Sequence, residues 1–493
     1  TYQTKIKKKH NLDLLVGYEI NSKESDGLGT TISNFARWDK PEVNNGVVYQ
    51  SMGGSNSTTR IVSYITRANY DYDNKYYLGA SWRTDGSSRL ARENRWGNFW
   101  SLSGAWRVSS ESFMKPLQNW LSDLKLRVSY GVNGTLPSSY YGYMGLSSLT
   151  SNYNDNPGIT QSQLENKELT WETNYNFNSG IDLGFFDNRL NVTFEYYVRT
   201  TKNLLYSRPL SLATGFSSYL ANIGKLQNKG YELEIRSTNI ETKDFRWSTS
   251  LNLGHNANKI LKLDGDLKQV TSGTSIHKVG LPYSTYYMIE FAGIDPVDGE
   301  PMFYKNTTDE NGNLNKETTK DPRSAEKVIL QCADPTITGG LGNSISYKWF
   351  DLNFNVNFSF GAWNYDGAAG KLEHGGDGTL NIPIYYRKRW QKEGDETSIE
   401  RFVVGRSISM TDYATTRRLY SGDYVRLKNL TFGFTLPKTW TRKVGIDNIR
   451  LYASGNNLLT WAAYDYIDPE SGSSPSWDTP PMRTYTFGLE VKF

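Results

Sequence analysis

The stretch FDLNFNVNFSF, residues 350–360, alternates strictly. Phe350, Leu352, Phe354, Val356, Phe358 and Phe360 hold one parity; Asp351, Asn353, Asn355, Asn357 and Ser359 hold the other. Successive side chains of an extended strand leave opposite faces, so a period of two specifies a strand with one apolar and one polar face. A soluble sheet would bury the phenylalanines in a core. A membrane barrel would turn Phe354, Phe358 and Phe360 to lipid and leave Asn353, Asn355 and Asn357 lining a wet lumen.

The pattern recurs. NLDLLVGYEI sets Leu12, Leu14, Val16, Tyr18 and Ile20 on one side, and DLKLRVSYGV does the same with Leu124, Leu126, Val128, Tyr130 and Val132. TNYNFNSGIDLGFF and RLNVTFEYYV repeat it on either side of Asp187-Asn188, a tight hairpin signal. About fourteen such strands can be read, joined alternately by short turns and long loops, the layout of an outer-membrane barrel. The long loops fall at about 21–59, 134–170, 207–228, 259–335, 361–420 and 461–481. An even number of strands would put both chain ends on the short-turn side. In YVRLKNLTFGFTL the parity slips between Leu427 and Leu430, which predicts a β-bulge near 428–429.

Composition agrees. Only 37% of the 493 residues are hydrophobic, yet 14% are aromatic, with 34 Tyr and 14 Trp. Tyr and Trp suit places where one end of a ring is dry and the other wet, such as the interfacial girdle of a barrel, and Trp82, Trp100, Trp106 and Trp247 fit that role. No apolar run is long enough for a transmembrane helix, which leaves a β-barrel open. Net charge is +4 without a sustained basic stripe, against a nucleic-acid partner; KIKKKH at 5–10 reads as a solvated turn. One cysteine, Cys332, and four scattered histidines argue against disulfides and a metal site. The chain opens on Thr1, with neither a start Met nor a signal peptide, and is expected to be a piece of a longer polypeptide.

Chemical motifs fail on inspection. Gly370-Lys371 lacks the first glycine and the hydroxyl of a phosphate loop, and DENGNLN at 309–315 lacks the glycine and closing Glu of a calcium loop. Nothing singles out a catalytic pair, a cofactor or a metal, so no enzyme activity is expected.

Against this background RTDGSSRL (83–90), NRWGNFWSLSGAWRVSSESFM (94–114), NIGKLQNKGYELEI (222–235), FAGIDPVDGEPMFY (291–304), GDYVRLKNLTFGFTLP (422–437) and RTYTFGLEVKF (483–493) resemble, in order, SusC/RagA-type TonB-dependent outer-membrane transporters of Bacteroidetes. The resemblance implies an all-β, antiparallel transmembrane barrel, of which residues 1–493 supply the C-terminal part, about 14 of about 22 strands. The plug, the TonB-contacting region and the first strands would lie in an N-terminal part outside this chain. It implies active import of a bulky nutrient, an oligosaccharide or a peptide, beneath a SusD-like surface lipoprotein, in the lipid of the bacterial outer membrane. Alternation ending in Tyr485, Phe487 and the terminal Phe493 is similar to the family's barrel-assembly signal.

Aromatic faces stack on sugars or peptide side chains, and carboxylates accept from hydroxyls or amines. The ligand candidates in the long loops are therefore Trp38, Trp363, Trp461, Tyr464 and Tyr466, with Asp465 and Asp468. The competing functional readings are a secreted β-rich glycan-binding protein and a surface glycosidase.

Overall fold

In a computed structural model the described residues are all of 1–493 except 155, 264, 266, 311, 377–380, 406–412, 442–444 and 472–478. Parts of the expected loops 361–420 and 461–481 therefore lie outside the described residues. The largest sheet has 15 strands, hydrogen-bonded in chain order. They are β1 (Tyr2–Ile6), β2 (His10–Phe35), β3 (Gly46–Tyr72), β4 (Tyr76–Ser87), β5 (Trp96–Arg107), β6 (Leu121–Thr135), β7 (Glu172–Phe185) and β8 (Leu190–Lys202). Then follow β9 (Lys225–Glu241), β10 (Phe245–Lys262), β11 (Ile337–Tyr347), β12 (Phe350–Phe360), β13 (Tyr424–Thr435), β14 (Asn448–Ala462) and β15 (Thr484–Lys492).

All fourteen anticipated strands are present, and β1 is additional. It pairs with β2 from Tyr2↔Leu14 to Ile6↔His10, so the basic run is half strand and half turn. The count is odd, which removes the even-strand argument about the chain ends. At three of the short turns both central residues have φ > 0: Lys7 and Lys8, Asp73 and Asn74, Asp187 and Asn188. That is the type I′ geometry whose twist matches its flanking strands. The bulge is also present: Lys428 is skipped in the ladders of β13 with both β12 and β14.

The largest departure concerns residues 21–59. Instead of an irregular loop, β2 and β3 run on as a two-stranded ribbon, paired from His10↔Tyr72 to Phe35↔Gly46. Both faces are polar over much of it, so no alternation announced it, and the backbone ladder alone carries the pairing.

By contact the chain divides into two compact units. The first comprises 1–107, 127–178 and 199–225. Its small core is Leu90, Phe99, Val132, Leu169 and Trp171. Phe99 meets Trp171 edge to face at 5.2 Å, a geometry worth about 0.5–1.5 kcal/mol beyond burial. Gly134 is required there, because a Cβ would stand 2.2 Å from the Phe99 ring. The second unit comprises 108–126, 179–198 and 226–493. Its clusters are Val108, Met114 and Leu121, and Ile289 with Phe303. Neither unit buries the apolar faces of its strands: Val16 is 80% exposed, Phe487 82%, and Phe350 and Phe360 are exposed as well.

Candidate functional site

Register defines the two faces in the second unit. Phe358 lies opposite Val425, Phe354 opposite Leu430, Leu352 opposite both Ile345 and Phe432, and Phe350 opposite Tyr347 and Phe434. Residues directly opposite share a face, so this is one apolar surface over three strands. Tyr485, Phe487 and Leu489 extend it, opposite Gly455, Ala453 and Leu451. In the first unit Trp82 lies opposite Trp100 and Tyr76 opposite Trp106. Trp247 donates its indole N–H to Asn343 at 2.9 Å on the apolar face of β10 and β11.

The opposite face is polar and open. Glu195, Glu232, Asn252, Asn355, Asn357 and Tyr424 help line a recess of about 1130 Å³. Asn353 and Asn355 border a neighbouring one of about 320 Å³. The asparagines that alternation set apart from the phenylalanines share one polar face.

At the loop end of that face lies a cluster of tyrosines and buried charges. Tyr464 stacks on Tyr420 with centroids 3.6 Å apart and donates to Asp366 at 3.2 Å. Tyr466 packs on Tyr464 and Tyr385, at 5.3 and 5.4 Å. Tyr385 donates to Glu373 and Tyr386 to Glu400, both at 2.5 Å. Arg417 pairs with Glu400, and Arg418 with Glu373 at 3.0 Å. Burial and the neighbouring carboxylates push the hydroxyls of Tyr385, Tyr386 and Tyr464 well above their ordinary value. They remain neutral donors throughout physiological pH. Burial alone would lift the Glu400 carboxyl, but Arg417 and the Tyr386 hydroxyl outweigh it and hold it below the usual range.

The anticipated ligand residues separate on this framework. Tyr464 and Tyr466 belong to the cluster, with the exposed Asp465 between them. Trp363 sits in a two-stranded ladder, Trp363–Tyr365 against Leu419–Ser421, rather than in irregular loop. Trp38 lies at the tip of the β2–β3 ribbon in the first unit, 90% exposed. Trp461 is in strand β14, opposite Val425 and therefore on the apolar face, not in the loop after it. Asp468 is occupied by Arg426 at 2.5 Å. Sequence reasoning missed Arg417, Arg418, Glu373, Glu400, Tyr385, Tyr386 and Arg426. The doublets Tyr385-Tyr386 and Arg417-Arg418 were visible, but their carboxylate partners are remote in the chain. Among the described residues no group of His, Cys, Asp and Glu is placed to hold a metal ion.

The family described as TonB dependent receptor-like, beta-barrel matches residues 1–458. TonB-dependent receptor P3 of Formosa agariphila is 33% identical over 98% of this chain and 51% of its own length. TonB-dependent receptor SusC of Bacteroides thetaiotaomicron is 30% identical over 88% of this chain and 44% of its own. A solved structure, described as that of the RagAB peptide transporter, superposes with a TM-score of 0.85 at 29% identity, covering 100% of this chain and 54% of that one. The chain spans about half the length of the curated relatives it matches.

Proposed function

The chain belongs to the TonB-dependent receptor β-barrel family, of SusC/RagA type in the bacterial outer membrane, and from that premise we propose that it forms part of an importer of a bulky nutrient, an oligosaccharide or a peptide. The observation that carries this reading is the two-faced sheet. Strand after strand exposes aromatic and aliphatic side chains, while the opposite face opens polar groups onto a recess. In water such an apolar surface far exceeds the patch a soluble protein tolerates. In a bilayer it is the solvent-matched side of a barrel, whose backbone is satisfied strand to strand.

On this reading Phe354, Phe358 and Phe360 face lipid, and Asn353, Asn355 and Asn357 face the lumen. Tyr485, Phe487 and Phe493 act as the assembly signal. Tyr464, Asp465 and Tyr466 stand in the long loops where cargo would first be met, with Trp363 as an outlying contact; Trp38, in the first unit, is a separate candidate. Asp468 is tied to Arg426 and serves the loop rather than the cargo. Energy would come from TonB, acting through the N-terminal plug-bearing region, and a SusD-like lipoprotein would cover the mouth. The solved relative RagAB is described as a peptide transporter and SusC as a TonB-dependent receptor, which supports a peptide-class cargo and TonB as the energy source.

The test is uptake by cells carrying the full-length receptor and its co-produced surface lipoprotein. A fluorescent oligopeptide pool and fluorescent maltoheptaose are the probes. Import of either that stops on dissipating the proton-motive force supports the reading. Surface binding that persists unchanged without TonB, with no import, would instead support a glycan- or peptide-binding module.

A further inference from the structure

β14 ends at Ala462, where the chain leaves the sheet. A few residues later it has doubled back. Arg426 projects from β13 on the polar face, directly opposite Asn357 on one side and Thr460 on the other. Arg426 is 2% exposed and engaged through each of its three guanidinium nitrogens: Nη2 donates to Asp468 at 2.5 Å, Nη1 to Glu470 at 2.7 Å and Nε to Thr460 at 3.0 Å. Lys428, at the bulge, reaches the same Glu470 at 2.7 Å. Within the segment, Asp468 also accepts from the Glu470 backbone N–H at 2.9 Å, which rigidifies the turn carrying both acids. Upstream, the Ala463 N–H donates to the Asp423 carbonyl at 2.9 Å. Residues 463–471 are therefore tied to the wall at both ends, and Tyr464, Asp465 and Tyr466 lie between the ties.

We infer that Arg426 is a positioning residue, which holds 463–471 as a strap across the polar face and so fixes where Tyr464, Asp465 and Tyr466 stand for cargo. The inference rests on the transport reading in its second half only, because the anchoring itself is independent of what is carried. The guanidinium is suited to this task. Its planar fork satisfies two carboxylates and a hydroxyl at once, with each donor direction fixed, whereas an ammonium in the same place would satisfy them as a point charge without that geometry. The strap also joins two regions far apart in sequence. Tyr464 leaves Arg426's anchor to stack on Tyr420 and bond Asp366, so wall and loop 361–423 share one polar connection.

The experiment uses the full-length receptor with its lipoprotein in outer membrane. A spin label is placed at Asp465 through D465C in a Cys332→Ser background, and uptake of the peptide pool or maltoheptaose, whichever the wild type imports, is measured in unlabelled variants. Arg426→Gln and, from the strap side, the double change D468N/E470Q are expected to convert the label from restricted to fast motion. Both should raise the half-saturation concentration for uptake at least tenfold with the maximal rate within twofold of wild type. Arg426→Lys should recover part of the lost affinity. The strap-side variant guards against failure of Arg426→Gln to assemble, since it leaves the barrel strand untouched. Unchanged label motion in D468N/E470Q would overturn the anchoring. A mobile strap with unchanged uptake kinetics would overturn the positioning role while leaving the transport reading intact. Absence of any wild-type import would overturn the transport reading and the positioning role with it, and the label would still decide the anchoring.

Discussion

Replacing Arg417 with Met removes one half of a buried ion pair and leaves the other behind. The Glu400 side chain is fully inaccessible and Arg417 nearly so. In the variant the carboxylate keeps the Tyr386 hydroxyl at 2.5 Å but loses its counter-charge. Orphaning a buried charge in this way costs about 3–5 kcal/mol. Glu373 loses a secondary contact at 3.6 Å but retains Arg418 and Tyr385, so little is added from that side. If the surrounding loop opens locally, the same free energy appears as faster amide exchange, at about tenfold per 1.4 kcal/mol. Hydrogen exchange followed by mass spectrometry on peptides covering 384–404, in the full-length protein at pH 7, should therefore quicken by about two to three and a half orders of magnitude. The combined change R417M/E400L/Y386F removes both charges and the hydroxyl that would otherwise lose its acceptor, and should return exchange to within about tenfold of wild type, since a well-packed apolar replacement is near neutral. A single-variant effect below tenfold would refute the reasoning, because it would mean that Glu400 finds water or another cation without Arg417.

Three further outcomes are expected. Single cysteines at Asn355 and Asn357 should react with a membrane-impermeant maleimide in permeabilised outer membranes, and cysteines at Phe354 and Phe358 should not; equal labelling would sink the barrel orientation. Removal of Phe493, or Phe487→Asp, should lower the yield of heat-modifiable folded barrel on unboiled gels by several-fold, and normal yield would remove these residues from assembly. Because the Glu400 carboxyl is held below its ordinary 4.5, its ion pair contributes fully above that value and is lost as pH falls through the lowered one. Exchange of 397–404, corrected for intrinsic rates, should accordingly stay level at neutral pH and quicken only as pH falls below the ordinary 4.5, whereas loss on the alkaline side would contradict the assignment.

The wall was legible in the sequence because alternation is a local property: each strand declares its two faces without reference to its neighbours. The bulge at Lys428 was legible for the same reason, as a slip of parity within one strand. Where both faces carry polar residues, as over Asn21–Asp26 against Asn56–Ile61, there was nothing to count, and a ribbon passed for a loop. β1 was hidden by its brevity, with only five residues to show a pattern and just Tyr2 and Ile6 apolar among them. The tyrosine and charge cluster was illegible for another reason. Glu400 and Arg417 are 17 residues apart, Arg426 and Asp468 42, and Arg418 reaches Glu373 across 45. Spacing of that kind obeys no period, so only the folded loops disclose which acid meets which base. Trp461 shows the converse error. An aromatic just before a polar stretch was assigned to the stretch, although parity with Leu459 already placed it on the strand's apolar side.

The β2–β3 ribbon has a practical meaning outside the transport question. A membrane crossing uses about 9–11 residues of strand, but these strands hold 26 and 27. The fifteen residues of β2 beyond Ile20 add a reach of about 50 Å at strand rise, with Trp38 at the far end. On the proposed reading, with the long loops outside the cell, a ribbon of that length would carry its tip well clear of the bilayer. If it does, a short epitope inserted between Arg37 and Glu42 should be stained on intact cells, and staining only after permeabilisation would place the ribbon on the other side of the membrane.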